Sequence, residues 1–476
     1  MNRMYRMLRL IAPMLLLAGV AAAARPLNVV ILLADDLGWA DTGVYGADLH
    51  ESPNIDRFAA SAMRFTDAYA ASPVCTPTRA SIQTGKYPAR LNMTIWREAA
   101  LDPPLDRELI PPLVVGDLPH EQVTIGEALK QAGYRTAHIG KWHLGGAGYY
   151  PETQGYDINI GGSLWGAPQS FFFPYRGTEH FDHAPRYLPG LNWGEPGEYL
   201  TDRLTDEALR VIDRAAPGPF FLNLCYHSVH TPIEAKADDV ARYRAKLRPG
   251  LHHQNPVYAA MVASLDQNVG RVLAKLDERG LAERTIVIFA SDNGGYVNRY
   301  DGQTVTTNYP LRSGKGSLYE GGVRVPLIVR WPGVTTAGAV SSEPVSTIDL
   351  YPTLLEALGL PGDAAHNRTV DGVSLAPLLK SPAARLGRDA LYFHYPHYYP
   401  TTTPVSSVRE GQWKLIEYFE DNHVELYNLA DDAGEARDLS AERPGVAERL
   451  RAKLSVWRDS VLAPMPKRNP HPPPQE

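Results

Sequence analysis

NVVILLADDLG, residues 28–38, decides how this chain folds. An unbroken apolar run ended abruptly by charge is the pattern of a strand covered on both faces, where no position looks onto water. Four further runs have the same form: TAHIG (136–140), FFLNLCY (220–226), TIVIFAS (285–291) and VPLIVRW (325–331). Helix-like segments lie between them. In VYAAMVASLDQNVGRVLAKLDERG the residues Val257, Met261, Leu265, Val269, Val272 and Leu276 share one face and Gly280 supplies a stop, and TIGEALKQAGY and TDRLTDEALRVIDRA have similar form. Strands alternating with helices predict an α/β fold with a large, mostly parallel sheet sandwiched by helices.

From about residue 386 the pattern changes to short alternating aromatic strands, ALYFHYPHYY, SVREGQWKLIEYF and HVELYNL, followed by the helical GVAERLRAKLSVWRDSV. This predicts a smaller antiparallel sheet closed by a helix. The organisation expected is therefore a signal peptide over 1–24, a catalytic domain over 25–385, a C-terminal subdomain over 386–465 and a flexible Pro-rich tail over 466–476.

The first 24 residues carry a basic start, an apolar run shorter than the ~20 residues of a spanning helix and interrupted by Pro13, and an alanine cluster. They read as a secretory signal, so the mature protein is expected to be exported, periplasmic or secreted. No later segment is apolar enough to span a bilayer. With 44% hydrophobic and 21% charged residues and a net charge of -6, the chain has the composition of an ordinary globular protein and suggests no basic face for nucleic acid. Two cysteines in 476 residues, Cys75 and Cys225, leave the fold to a buried core rather than a disulfide framework.

In open α/β sheets, ligands gather beyond the carboxyl ends of the strands. The first run ends in Asp35 and Asp36, and the run 285–291 ends in Asp292 and Asn293. Carboxylates side by side repel unless a cation sits between them, and oxygen ligands suit a hard divalent ion such as calcium or magnesium. Helix capping or Asx turns would explain either pair alone; both pairs at equivalent strand ends favour the metal. GKWHLG sets Lys141 and His143 two residues apart, CYHSVHTP ends another strand with His227 and His230, and LRSGKGSLYEGG offers Lys315 in a Gly-rich loop. That loop is not a Walker A motif, because Gly316 follows Lys315 and Tyr309 stands where the first glycine belongs.

SPVCTPTRASIQTGKY, residues 72–87, holds one of the two cysteines. Arginine would have to occupy position 81 in a thiolate phosphatase of the C-x5-R kind, and Ser81 excludes it. Cys75, Pro77 and Arg79, continued by ASIQTGKYP, resemble the C-x-P-x-R signature of type I sulfatases of the alkaline phosphatase superfamily. ILLADDLGWAD, GKWHLG, TQGYD, VHTP, ASDNGG, LRSGKGSLYEGGVRVPLIVRWPG and GQWKLIEY with ELYNL match further landmarks of that family in order, so the resemblance covers nearly the whole mature chain. Gln83, where relatives usually carry an apolar residue, and LADDAGE, which lacks a common proline, are small departures.

The resemblance implies an alkaline-phosphatase-like fold and oxidation of Cys75 to formylglycine by a formylglycine-generating enzyme. The hydrated aldehyde carries two hydroxyls, one to attack sulfur and one to expel sulfate. It also implies that residue 75 joins Asp35, Asp36, Asp292 and Asn293 around one divalent ion, calcium or alternatively magnesium. Arg79 would hold the nucleophile's oxygens, and Lys141 and Lys315 the sulfate oxygens. His143 would take a proton during sulfate expulsion, and His230 would protonate the leaving alcohol. A helix starting near Thr76 would aim free amides at the anion, and a Cys75–Cys225 disulfide would be incompatible with this role.

The aromatic stretch FHYPHYYPTTTP, with His394 and His397, together with His227, is the candidate sugar-binding surface. The expected substrate is a sulfated saccharide of galactose or N-acetylgalactosamine type. Phosphodiester or phosphonate ester hydrolysis, and a non-catalytic sulfated-glycan binder, are the alternatives.

Overall fold

The computed structural model describes residues 26–176, 186–214 and 218–472. The expected signal segment 1–24 lies outside the described residues, as does the end of the tail from residue 473.

The large sheet has eight strands: β1 (Asn28–Ala34), β2 (Met63–Phe65), β3 (Arg135–Gly140), β4 (Ile158–Ile160), β5 (Phe220–Cys225), β6 (Thr285–Ser291), β7 (Leu327–Arg330) and β8 (Ala339–Ser341), in the spatial order β8-β2-β7-β6-β1-β5-β3-β4. β1 pairs in parallel with both β5 and β6, and β3 in parallel with β4 and β5. β7 alone runs against its neighbours, β6 and β2. The strand legible at VPLIVRW is thus present but reversed, a matter of connection that an apolar run does not encode.

Alternation along β1 accounts for its unbroken hydrophobicity. Val30, Leu32 and Ala34 join one core, with Leu200, Leu204 and Ile212 of α4 (Leu200–Asp213) and Met261, Leu265 and Val269 of α5 (Pro256–Glu278), while α1 (Pro53–Ala60) adds Ile55 and Phe58. Val29, Ile31 and Leu33 join the opposite core, with Ala80 and Ile82 of α2 (Cys75–Thr84), Leu129 of α3 (Ile125–Gln131) and Leu350 and Leu354 of α6 (Leu350–Leu358). Each strand residue therefore leaves water whichever way it points.

The second sheet is four-stranded and antiparallel, β9 (Leu391–Tyr395), β10 (Val405–Glu410), β11 (Trp413–Tyr418) and β12 (Val424–Asn428), with α7 (Pro444–Ser460) against it. It is not an independent body. Phe393, Tyr395, Val405 and Ile416 share a core with Tyr69, Val74 and Leu318 of the larger unit. Buried Lys414 ties the two together, with Nζ 2.8 Å from Glu320 Oε1 and 2.9 Å from Glu435 Oε1.

The start of the tail is held rather than free: Lys467–Arg468 pairs antiparallel with Leu109–Ile110, and Asn469 donates to the carbonyls of Leu105 and Arg107 at 3.0 and 2.8 Å. Proline richness predicts poor helix and strand formation. It does not prevent main-chain and side-chain bonds to another loop.

Candidate active site

The register of the large sheet builds the site. Leu33 lies opposite Cys225, Ala34 opposite Ser291 and Gly140 opposite Cys225, so the residues that follow these strands emerge along one edge. Those residues are Asp35 and Asp36 from β1, Lys141 and His143 from β3, His227 and His230 from β5, and Asp292 and Asn293 from β6. Asp36 and His143 both sit at positive φ, 59° and 58°, a conformation that costs a non-glycine residue energy and recurs where geometry serves function.

α2 brings Cys75 to this edge. Its N-cap Val74 is extended and provides no side-chain cap, so the amides of the first turn are left for another acceptor. Pro77 is tolerated there because first-turn amides have no helical partner, and Gly85 at φ 71° closes the helix in the left-handed conformation. Every residue of α2 is buried, and several of its polar side chains bond inward. Thr76 Oγ1 donates to the His143 carbonyl at 2.8 Å, and Arg79 Nε and Nη1 donate to Asp292 Oδ2 and the Lys141 carbonyl at 2.8 and 2.9 Å. Gln83 accepts from Tyr156 Oη at 2.8 Å, which explains an amide where an apolar residue was expected.

Around the aspartates the charges interlock. Lys141 Nζ lies 2.7 Å from Asp35 Oδ2, Lys315 Nζ 2.8 Å from Asp36 Oδ2, and Asn293 Nδ2 2.7 Å from Asp36 Oδ1. Asp292 Oδ1 accepts the Asp36 main-chain N–H at 3.2 Å. Burial pushes Asp35 well above the ordinary carboxylate range, Asp292 and Asp36 add to it, and Lys141 and Arg79 only partly offset it. Burial acts on Asp36 in the same sense, but Lys315, His230 and Lys141 outweigh it and hold that carboxyl below its ordinary value. Burial opposes charge on Lys315 as well, and Asp36 more than restores it.

A divalent cation fits this group of oxygens. Asp35 Oδ1 and Asn293 Oδ1 are buried with no hydrogen-bond partner among the described residues, an arrangement that costs free energy unless something else satisfies them.

Cys75 Sγ, standing where the oxygens of an oxidised side chain would lie, is 3.4 Å from His143 Nδ1. Burial would raise the Cys75 thiol, but Lys141, His143 and Lys315 bring it down to about 6, so the surroundings favour an anion at this position. On the other side of the imidazole, His143 Nε2 is 3.4 Å from Glu98 Oε2. Both cysteines are free thiols, and burial pushes Cys225 up to about 12.

His230 Nδ1 donates to the Thr231 carbonyl at 2.8 Å, which leaves Nε2 facing Asp36 Oδ2 at 3.6 Å. His227 is also buried, beside Lys141 and Arg79, and both its ring nitrogens lack a partner among the described residues.

His394 and His397 need correction as sugar ligands. Both are buried: His394 Nδ1 lies 2.6 Å from Ser406 Oγ and Nε2 donates to the Pro464 carbonyl at 2.8 Å, while His397 Nε2 lies 2.8 Å from Thr94 Oγ1. These bonds hold the second sheet to its neighbours and leave His394 no ring nitrogen for a ligand. Another part of the same stretch does reach the site. Tyr399 packs over Gly316, where an added Cβ would lie 2.0 Å from its ring, and Thr401 Oγ1 donates to the Lys315 carbonyl at 2.7 Å. Sequence reasoning missed Glu98, Thr76 and Tyr399 as neighbours of the catalytic groups; none carries a spacing that marks it, and only the counterparts on distant elements give them a role.

Cys75, Lys141, His143, His230 and Lys315 thus gather with Asp35, Asp36 and Asn293 at one edge of the large sheet. The sulfatase family profile matches residues 27–360, and a profile for the C-terminal part of N-sulphoglucosamine sulphohydrolase matches residues 314–459. A sulfatase from Formosa agariphila is 34% identical over 92% of this chain and 89% of its own length. Human N-acetylgalactosamine-6-sulfatase is 30% identical over 95% of this chain and 89% of its own. Among solved structures, that of Ps i-CgsB with k-i-k-neocarrahexaose superposes with a TM-score of 0.76, at 28% identity over 95% of both chains. The chain belongs to the sulfatase family and is a sulfuric ester hydrolase. No helix among the described residues is long and apolar enough to cross a membrane.

Proposed function

We propose that this enzyme is exported and hydrolyses sulfate monoesters on saccharides of galactose or N-acetylgalactosamine type, with Cys75 converted to formylglycine and calcium held by Asp35, Asp36, Asp292, Asn293 and residue 75. The observation that carries the reading is the position of residue 75: at the uncapped start of α2, 3.4 Å from His143 and under the influence of Lys141 and Lys315. Once formed, the aldehyde hydrate supplies paired hydroxyls for sulfuryl capture and release, and the cation supplies positive charge against them.

The chain's own groups do the rest. Lys141 and Lys315, which lie on Asp35 and Asp36, are placed to hold the sulfate oxygens. Arg79 stays on Asp292 and orients it. His143, held through its carbonyl by Thr76 and facing Glu98, takes a proton at Nδ1 from the side chain at 75. His230 faces the leaving oxygen with Nε2; because the Nδ1 hydrogen is donated to the Thr231 carbonyl, the ring protonates that oxygen only when it holds a second proton, on Nε2. The saccharide assignment is supported by the relatives, N-acetylgalactosamine-6-sulfatase and a protein solved with a neocarrahexaose.

Mass spectrometry of the peptide containing residue 75, from protein made with a formylglycine-generating enzyme, is expected to show the aldehyde and its hydrate. Only a thiol, in protein that nonetheless turns over substrate, refutes the modification. Sulfate release from a panel of sulfated galactosides and N-acetylgalactosaminides is expected, at rates above those on matched phosphate esters. Faster phosphate than sulfate ester hydrolysis would select the phosphodiesterase alternative, and binding without turnover by aldehyde-bearing protein would select the glycan-binder alternative.

A further inference from the structure

A second group of metal-ligating side chains lies outside the catalytic centre. Asp41, His50 and His253 are all buried, and each directs one ligand atom so that the three lie within 4.8 Å of one another. They come from the loop after β1, from the segment before α1 and from the segment before α5. The group is linked to the catalytic edge through Tyr258, whose hydroxyl is 2.6 Å from Asp41 Oδ2 and 3.3 Å from the Asp36 carbonyl oxygen.

The surrounding bonds determine which atoms remain available. Asp41 Oδ2 is filled by the Gly38 N–H at 2.7 Å and by Tyr258, whereas Oδ1 accepts from Thr306 Oγ1, at 2.7 Å, and faces both imidazoles. His253 Nδ1 lies 2.7 Å from Asp48 Oδ1, a carboxylate that can only accept, so Nδ1 carries the hydrogen. Nε2 points inward, towards Asp41 Oδ1, and it is buried with no hydrogen-bond partner among the described residues. Metal-ligating histidines usually donate their far N–H to a carboxylate, carbonyl or water, which fixes the tautomer and raises the ring's basicity, and His253 has such a partner in Asp48.

Spacing supports the same conclusion. Asp41 Oδ1 is 3.4 Å from His253 Nε2 and 3.5 Å from His50 Nδ1. Both distances exceed an ordinary hydrogen bond, but tetrahedral zinc with bonds of about 2.0–2.1 Å holds its ligand atoms about 3.3 Å apart. His50 Nδ1 also lies 3.1 Å from the Asp41 carbonyl oxygen. Without a cation Nδ1 can donate a hydrogen to that carbonyl, whereas in the tautomer with hydrogen on Nε2 its lone pair faces both oxygens of Asp41 and is free for a cation. The His50 and His253 rings are 4.2 Å apart, and His50 also lines a cavity of about 470 Å³ together with Ser52, Tyr243 and Asp266.

We propose that Asp41, His50 and His253 form a second cation site, one for zinc, distinct from the oxygen-rich site at Asp35 and Asp36. Two imidazoles and one carboxylate suit zinc, whereas calcium and magnesium call for oxygen alone. The ion would clamp the loop after β1 to the start of α5 and so brace the turn that carries Asp36. The inference does not depend on the nature of the sulfated substrate.

The test uses the full-length enzyme, stripped with chelator and re-equilibrated with zinc chloride in the presence of calcium. Elemental analysis is expected to find one tightly held zinc per chain. His253→Gln and His50→Gln should lose it while retaining calcium, and Asp48→Asn should weaken it by about 10–100-fold. Wild-type crystals measured above and below the zinc absorption edge should show an anomalous peak between Asp41, His50 and His253, which decides the matter even if the variants do not fold. No bound zinc in the wild type, undiminished zinc in the histidine variants, or a zinc peak only at Asp35 and Asp36 would overturn the proposal and leave a hydrogen-bonded His–Asp network.

Discussion

Replacing Gly316 by alanine tests whether the Lys315 loop is shaped by its contact with the aromatic stretch of the second sheet. Gly316 has φ +89°, and a Cβ there would lie 2.0 Å from Tyr399 Cδ1 and 2.5 Å from Cγ. The main chain has little freedom to retreat. Lys315 N–H donates to the Gly295 carbonyl at 3.0 Å, Gly316 N–H to the Pro73 carbonyl at 2.9 Å, and Thr401 grips the Lys315 carbonyl. The ring must therefore move.

An L-residue at this φ costs about 1–2 kcal/mol. Displacing half-buried Tyr399, which stands edge-on to Trp96 with centroids 5.9 Å apart, forfeits about 1–2 kcal/mol more. Gly316→Ala should thus lose about 2–4 kcal/mol in denaturant melts and lower kcat/KM, since Lys315 shares the disturbed segment. In Gly316→Ala/Tyr399→Ala the new methyl enters the space the ring vacated, so the steric part disappears and only the φ cost persists. A double-mutant cycle should give a coupling of about 1–2 kcal/mol. Additivity within about 0.5 kcal/mol would refute the reasoning, because it would show that methyl and ring never compete for the same volume.

Lys414→Met should cost about 3–5 kcal/mol in urea melts, because it leaves the buried carboxylates of Glu320 and Glu435 without their shared cation; a loss under about 1 kcal/mol would refute that account. Stability should also fall with acid. Burial brings His138 and His397 down to about 3 and His394 down to about 4. The unfolded chain therefore takes up protons near 6.5 that the folded protein refuses, and the stabilisation present above pH 6.5 is lost as pH falls towards the folded values. Each group contributes a slope of up to about 1.4 kcal/mol per pH unit. His394→Gln should reduce the slope between pH 6 and 5 by about that amount, and an unchanged slope would show that His394 is not held neutral.

The strands and most of the residues that gather at the sheet edge were legible in the sequence because both are local. A residue covered on two faces must be apolar wherever it points, so NVVILLA and TIVIFAS declare themselves, and the carboxylates that end those runs stand out as the first polar groups beyond the sheet. C-x-P-x-R is likewise one turn of helix, with Cys75 and Arg79 presented together by its pitch.

What the chain could not disclose alone were relations between distant segments. The reversal of β7, the docking of Lys467–Arg468 on Leu109–Ile110, the burial of His394 and His397, and the approach of Glu98 to His143 each depend on which element lies alongside which. So does the meeting of Asp41, His50 and His253, which stand in three separate stretches of polar sequence and show no motif. Periodicity reports how much water each residue sees, and that much the sequence determined. The partner a buried polar group finds is set by tertiary packing, because a hydrogen bond or a ligand bond depends on ångström placement across segments hundreds of residues apart.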